Sequence, residues 1–470
     1  MANFRDVNLL TRLNRLPITP RLMGIIALLS LVWLAEAFDI GIVGPVLTTL
    51  EKAWHLSSWQ TGLLAIASTL GIVVGMIPAG MMADRFGRRR VILMGIAWFS
   101  VVTMFGALAN NVADLFLVRF LAGIGEGAVL PMPYLILSEF TNSRRRAVSV
   151  GYANGILTAA YIVPSLVSIW ALHHYPDAVA WRIPFLLGGV PLIMLLPIGL
   201  WLPESPRYLL DKGRQTPVAQ LVEALEQQAS LPHDETLYDE VIAETLDETP
   251  HDMLKTLRSI FRPPLLSRSA MVILHLTAAL MLFYVLQVFG PALLAKRGLG
   301  VSNSILDTGL MMLFAGFGSV CQGYLSDQFG RKRVLAAYAA LATIGCLLFA
   351  SVHTRDATVV AGVLTAFFGL GIFPVSKLSV AEQYPTEVRG RGVYVGEMIA
   401  RGLSGIVTTY FIPFVLSLGG DRVVFLGMAV VLVAFTTPFV LFGRETAQLQ
   451  LEYATSVRPI ERMRPRFSRH

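Results

Sequence analysis

The sequence predicts an all-α integral membrane protein: twelve transmembrane helices in two pseudo-symmetric six-helix bundles. Three observations carry that prediction. Of 470 residues, 54% are hydrophobic and only 15% charged, against about 25% charged in typical soluble chains. Mean hydropathy is +0.62, and nearly uncharged stretches recur that are long enough for the roughly 20 residues a bilayer crossing requires. The chain also repeats a loop signature at a fixed offset of 243 residues. A soluble core cannot absorb so many all-round apolar helices. Spans of about 20 residues leave only short connections, which excludes a large extramembrane enzyme domain.

Apolar runs read against charge clusters place the spans near 22–50, 60–82, 91–109, 112–137, 147–172, 183–202, 269–295, 304–326, 333–351, 357–381, 392–416 and 422–443. The first run follows Arg5, Arg12, Arg15 and Arg21. It is too long for a cleavable leader and lacks a small-residue cleavage site, so it reads as span 1. The predicted units are an N-terminal six-helix bundle over 1–202, a cytoplasmic linker over 203–268, a C-terminal six-helix bundle over 269–443 and a basic cytoplasmic tail over 444–470. Within the linker, 218–228 (with Glu223 and Glu226) and 238–246 (with Asp239, Glu240 and Glu244) read as short acidic helices.

Net charge is +7, and the position of each cation decides its meaning. Of 38 Lys and Arg residues, 29 precede span 1, occupy the even-to-odd loops or lie in the tail. Six fall on the other side: Lys52, Arg182, Lys296, Arg297, Arg355 and Arg422. The asymmetry predicts a plasma membrane protein, in a bacterium the inner membrane, with both termini cytoplasmic. The excess is topology and contact with anionic lipid rather than a nucleic-acid footprint. The remaining three cations, Arg119, Lys377 and Arg401, lie inside spans. Cys321 and Cys346 also sit in spans, belong to no motif and read as free thiols.

Gly80-Met-Met-Ala-Asp84-Arg-Phe-Gly87-Arg88-Arg-Arg90 is matched by Gly323-Tyr-Leu-Ser-Asp327-Gln-Phe-Gly330-Arg331-Lys-Arg333. The same offset carries Glu139 onto Glu382 and Arg146 onto Arg389. Two parallel halves follow, with a path between them near the membrane midplane. These loops resemble the signature of the major facilitator superfamily. Arg119-Phe-Leu-Ala-Gly123-Ile-Gly125-Glu-Gly127, Pro203-Glu-Ser-Pro-Arg207 and Glu382-Gln-Tyr-Pro385-Thr-Glu-Val-Arg389-Gly390 add a similarity to its sugar-porter and organic-acid (metabolite):proton symporter branches, over roughly residues 20–445. The resemblance implies that Asp84, Arg88, Glu139, Arg146, Asp327, Arg331, Glu382 and Arg389 latch the halves when the outward side is open, and that the protein is a monomer. Electrostatics agrees: the acids can face loop arginines and cap neighbouring helix ends. A purely topogenic role for the arginines is the bland alternative.

Ionisable groups inside a bilayer are expensive, so each is a functional candidate. Glu36 and Asp39 stand three apart on one face of span 1, and Arg119 and Glu126 seven apart on one face of span 4. In the symporters resembled, an acid of span 1 opposes the arginine that opens the span-4 motif, and Asp39 matches that acid. Moved between Arg119 and apolar surroundings, Asp39 would alternately hold and release a proton. A static Asp39–Arg119 pair is the alternative, and Glu36 or Glu126 could be the proton site instead.

The C-terminal half contributes Lys377, Glu397 and Arg401. Glu397 and Arg401 are four apart, an intrahelical pair that leaves Lys377 uncompensated. Two cations near the path suit an anion, Arg401 offering a fork to a carboxylate. Span 7 carries Tyr284 and one glutamine, Gln287, and the closing Gly443-Arg-Glu-Thr446 lacks the proline usual in sugar porters. Both departures argue against a hexose. Ring candidates for a substrate site are Trp33, Phe38, Tyr134, Tyr152, Tyr284, Phe289 and Phe373. His275 reads as a packing histidine, with titration near neutral pH as the alternative.

No ATP-binding loop, zinc-type spacing or nucleophile elbow is present in the sequence, so neither an enzyme nor a metal or other cofactor is expected. The leading expectation is proton-coupled symport of a small organic anion, an aromatic or sugar carboxylate, by alternating access. Proton-coupled uptake of a neutral sugar or polyol, and proton antiport of drugs or organic cations, stand as alternatives. A membrane sensor is disfavoured by the lack of an appended signalling domain.

Overall fold

In a computed structural model of the chain, residues 3–142, 145–239, 260–263, 265–384 and 386–447 are described. Twelve helical segments are long and apolar enough to cross a membrane. They are span 1 (Pro20–Glu51), span 2 (Ser58–Phe86), span 3 (Arg88–Leu108), span 4 (Val112–Phe140), span 5 (Arg146–His174), span 6 (Asp177–Trp201), span 7 (Leu265–Gln287), span 8 (Val301–Phe329), span 9 (Arg331–Ser351), span 10 (Arg355–Val380), span 11 (Gly392–Leu416) and span 12 (Gly419–Phe442).

Several helices begin or end a few residues away from the hydropathy boundaries. Loss of water from the backbone fixes the apolar stretch, whereas caps fix the helix end. Span 2 starts on a Ser57/Gln60 capping box. It stops at Gly87, whose φ of 97° is open only to glycine without strain, and span 8 stops identically at Gly330 with φ 93°. Span 7 is the largest departure: 269–295 was expected as one run, but the helix ends at Gln287 and a separate turn, Gly290–Lys296, follows with Pro291 near its start. Proline supplies no N–H to the preceding turn, so the chain re-initiates there.

Interruptions recur in other helices, including span 5 at Tyr161 and span 6 at the 3-10 turn Val190–Met194. Span 1 breaks at Ile42, span 4 at Leu130 and Pro131, and span 10 between Gly369 and Phe373. Spans 1, 4, 7 and 10 are thus discontinuous near the middle of the membrane, the arrangement that exposes backbone groups and side chains to a central path. Span 11 carries a different irregularity, a π-helical segment over Gly402–Thr408.

Small residues set the packing inside each half. A Cβ on Gly75 of span 2 would run into the backbone of Ile124 in span 4, and one on Gly318 of span 8 into that of Phe367 in span 10. Gly75 and Gly318 are 243 residues apart, so the repeat is expressed as close backbone contact as well as loop sequence.

On the face that carries the basic loops, a helix Phe4–Asn14 packs against a helix Gln215–Gln228. Arg12 Nη2 meets Glu226 Oε2 at 2.5 Å and Arg15 Nη2 meets Glu226 Oε1 at 2.7 Å. Burial raises the Glu226 carboxyl, but hydrogen bonds and charge from Arg12 and Arg15 outweigh it and hold the group below the ordinary carboxylate range. The acidic helix expected over 218–228 is part of this clasp. Tyr238 and Asp239 are non-helical, and the rest of the helix expected over 238–246 lies outside the described residues.

Candidate functional site

Two buried charge clusters lie in the middle of the helices. The first belongs to the N-terminal half. Asp39 Oδ2 accepts from Arg119 Nη1 at 3.0 Å, and Arg119 Nη2 also donates to the Asp39 carbonyl at 3.3 Å and to Glu126 Oε1 at 3.5 Å. The Thr103 hydroxyl of span 3 donates to the other Asp39 oxygen. One guanidinium therefore faces two carboxylates, and all three residues are at most 3% exposed. In a low-dielectric site one cation cannot neutralise two anions, so the trio carries one formal negative charge in excess.

Glu36 and Asp39 share the spacing of one helical face and feel each other's charge, but their principal partners differ. Asp39 points into its own half, whereas the charged neighbours of Glu36 include Arg401, Lys377 and Glu397 of the other half. These four form the second cluster. Arg401 Nε donates to Glu397 Oε1 at 3.0 Å. Lys377 Nζ stands over three rings, 4.8 Å from the centroid of Tyr134, 5.5 Å from Phe373 and 5.6 Å from Trp33. Rings attract a cation through their electron-rich faces and leave its N–H groups available. Trp33 is fixed by donating its indole N–H to the Leu130 carbonyl at the break in span 4. Tyr161 lies beside Glu36. Tyr284 accepts a hydrogen bond from Thr69 at 3.0 Å, tying span 7 to span 2 at the edge of the cluster. Formal charges of Glu36, Lys377, Glu397 and Arg401 sum to zero, and none of the four is more than 5% exposed.

The repeat explains where these charges stand. Lys377 follows Tyr134 by 243 residues, and Glu397 and Arg401 follow Asn154 and Thr158 by the same offset. Asn154 donates to Thr158 at 3.2 Å, so a neutral hydrogen-bonded pair in one half is a charged pair in the other.

Other predicted ring and amide positions lie elsewhere. Tyr152 is 37% exposed and bonds to Tyr324 on the outer edge of the span 5–span 8 seam. Phe38 lines an apolar hollow with Leu34, Ala160, Val163 and Pro191 on the outside of spans 1, 5 and 6. One residue separates Phe38 from Asp39, but consecutive helical residues diverge by about 100°. Gln287 reaches the Gly41 carbonyl at 3.5 Å, at the contact between spans 1 and 7. His275 is held by Ser376 at 2.7 Å and Thr436 at 3.2 Å, as a packing histidine would be.

The loop acids and arginines assemble on the basic face. Glu139 lies a few residues before Arg144–Arg146 in the chain. It meets Arg88 at 2.9 Å and accepts from Ser205 at 2.5 Å. Arg146 instead crosses to Glu382 of the other half at 3.1 Å. Arg144 and the side chain of Arg389 lie outside the described residues. Glu382 is also paired with Arg331 and accepts from Thr446 at 2.7 Å. Asp327 Oδ2 accepts from the Val148 N–H at 3.0 Å, capping span 5 from across the seam, and Asp84 lies beside Tyr394 of span 11.

Sequence reasoning missed two matched clips. Glu204 accepts from the Arg88 N–H at 2.9 Å at the start of span 3, while Ser205 holds Glu139. Glu445 accepts from the Arg331 N–H at 3.0 Å at the start of span 9, while Thr446 holds Glu382. Both motifs are visible in the sequence, but 204/205 and 445/446 fall two residues short of the common offset. Thr103 carried no signal, since a lone threonine in an apolar run is ordinary.

A two-half bundle with broken central helices, a buried charge cluster between the halves and ionic contacts closing one face defines a membrane transporter of small molecules rather than an enzyme. The chain belongs to the family described as Sugar (and other) transporter, which matches residues 25–457. It is similar to the niacin transporter NiaP of Acinetobacter baylyi, with 28% identity over 447 residues, covering 95% of this chain and 99% of that protein. It is also similar to a gallate transporter of Pseudomonas putida, with 27% identity over 371 residues, covering 78% of this chain and 80% of that one. In fold it matches the major facilitator superfamily proton:xylose symporter XylE bound to 6-bromo-6-deoxy-D-glucose, with TM-score 0.77, 18% identity, and coverage of 92% of this chain and 97% of that one.

Proposed function

We propose that this transporter carries a small aromatic carboxylate together with protons across the bacterial inner membrane, as a monomer with its basic face and both termini in the cytoplasm. The observation that carries the proposal is the pairing of Lys377 and Arg401 with a wall of rings between the halves. A guanidinium fork and an ammonium meet a carboxylate, and Trp33, Tyr134 and Phe373 offer faces and edges to a flat ring. Niacin and gallate, the solutes named for two relatives, are both aromatic carboxylates. Few amides line these spans, which argues against a polyhydroxylated sugar.

Asp39, Arg119 and Glu126 are the proposed proton-coupling group of the N-terminal half. When the halves rock, a change in the Asp39–Arg119 distance changes how readily the carboxylate holds a proton. The contacts around Glu139, Arg146, Asp327 and Glu382 are the proposed cytoplasmic latch, whose opening admits solute release. The test is uptake of labelled benzoate, nicotinate and gallate into proteoliposomes under an imposed proton gradient. At least one should accumulate with an inward gradient and stop when the gradient is collapsed. Uptake indifferent to the gradient, or unchanged in Arg401→Ala, overturns the proposal.

A further inference from the structure

Arg401 is half used. Its Nε is bonded to Glu397 at 3.0 Å, and among the described residues its two Nη groups bond to no acceptor. A guanidinium has five donors in a rigid fork, so the end that suits a carboxylate faces the cluster while a resident carboxylate holds the side. The charge balance makes this consequential. Glu36, Glu397, Lys377 and Arg401 cancel when the site is empty, all buried. An organic anion docking on the free fork would leave one uncompensated negative charge, and two carboxylates would then share one guanidinium. Like charges at such a distance in a low-dielectric site do not both stay ionised.

We infer that Glu397 is a second proton site, in the C-terminal half, loaded when an organic carboxylate occupies the fork of Arg401. The inference rests on the anion reading proposed above. One proton moves from water to Glu397 as one carboxylate binds, and the cluster returns to neutrality. The charged and titratable groups around Glu397 are Arg401, Lys377, Glu36 and Tyr134. Arg401 on its own helix is shared with the ligand. Lys377 of span 10 is a cation that faces both Glu397 and Glu36, Glu397 the more strongly. Tyr134 of span 4 lies beside Glu397.

The helix itself is built to exchange partners there. Immediately after Arg401 the chain runs π-helical over Gly402–Thr408, a register seen mostly at functional sites, in which one residue is in excess of α-helical winding. Returning to α winding would turn the preceding side chains by about 100°. Gly405 within the segment is pressed against Tyr284 and Thr69, where no side chain fits. Arg401 and Glu397 therefore sit in the α-helical turns that lead directly into the π segment, where a change of winding would turn them.

Equilibrium binding of benzoate, nicotinate and gallate to the purified protein at pH 6, 7 and 8 tests the assignment. With one linked proton, the Kd of the wild type should tighten about tenfold per unit fall in pH. Glu397→Gln should bind as tightly at pH 8 as at pH 6, while Asp39→Asn, outside the cluster, keeps the pH slope. A slope retained in E397Q, or lost in D39N, overturns the assignment. Calorimetry of the wild type in two buffers of different ionisation enthalpy counts protons without any variant; a count of zero overturns it, and about one supports it. Binding by the wild type that is independent of pH defeats this inference alone. Binding of none of the three anions at any pH defeats the anion reading, and this inference with it.

Discussion

Lys377 of span 10 occupies the place in its half that Tyr134 of span 4 holds in the other, and the two side chains meet, Nζ lying 4.8 Å from the ring centroid. The pseudo-twofold relation thus brings two equivalent positions together at the centre, one made cationic and the other aromatic. Among the described residues Lys377 makes no salt bridge and is surrounded by rings, which leaves its N–H groups to a ligand entering between the halves.

Lys377→Met should raise the KM for benzoate while preserving the fold. Loss of a charge-assisted hydrogen bond costs about 1.5–3 kcal/mol, or roughly 10- to 100-fold in affinity. The check is concentration-dependent uptake in proteoliposomes alongside competition by the neutral benzamide, whose weaker binding should not deteriorate. A KM unchanged for the acid would remove Lys377 from the site.

Asp39→Asn should abolish accumulation against a gradient and spare exchange of solute between the two sides. Thr103→Val should act in the same direction more weakly, because it removes a hydroxyl donor to Asp39. Loss of one neutral hydrogen bond is worth about 1 kcal/mol. Counterflow and driven uptake on the same vesicles separate the two activities, and full accumulation by Asp39→Asn would exclude it from coupling.

Glu382→Gln should shift the protein toward the state open at the basic face. That side chain receives Arg146, Arg331 and Thr446 at once, and breaking one partner from a buried ionic network costs about 3–5 kcal/mol. Spin labels placed on the basic ends of spans 5 and 11 should report a longer distance. Ser205→Ala and Thr446→Val, which loosen the matched clips, should each lengthen it partially.

Gly75→Leu and Gly318→Leu should both fail to assemble, since each would drive a side chain into the backbone of the facing span. Gly24→Leu, where nothing lies within 4 Å of the added carbon, should fold normally. Yield of monodisperse protein on size exclusion decides this, and comparable yields for all three would contradict the packing described.

The clasp between helices Phe4–Asn14 and Gln215–Gln228 should loosen in acid. The Glu226 carboxyl is depressed in the folded protein, so its pairing contributes above the ordinary carboxylate value of about 4 and is lost as pH falls through the depressed value. Glu226→Gln should loosen the helix at neutral pH as well. Amide hydrogen exchange of residues 4–14 measures it, and equal protection in wild type and variant would mean that apolar packing alone holds the clasp.

The membrane class, the number of spans and the two-fold repeat were legible in the sequence because they rest on quantities that add along the chain. A bilayer reads apolar length, and duplicated loops such as 80–90 and 323–333 persist as letters. The three intramembrane cations stood out for the same reason, since each carries a desolvation cost wherever it points. Direction is what the sequence did not hold. Glu36 and Asp39 are three residues apart, yet one joins Lys377 and Arg401 across the interface and the other joins Arg119 and Thr103 within its half. Phe38 and Tyr152 were equally plausible rings that turn away from the centre. Glu139 and Arg146 were neighbours by number and pair with Arg88 and Glu382. Each of these outcomes depends on which helices lie against which, and at what rotation. Partition into the membrane is a sum over residues taken singly, whereas the pairing of buried charges is decided by distances of a few ångströms between residues far apart in the chain.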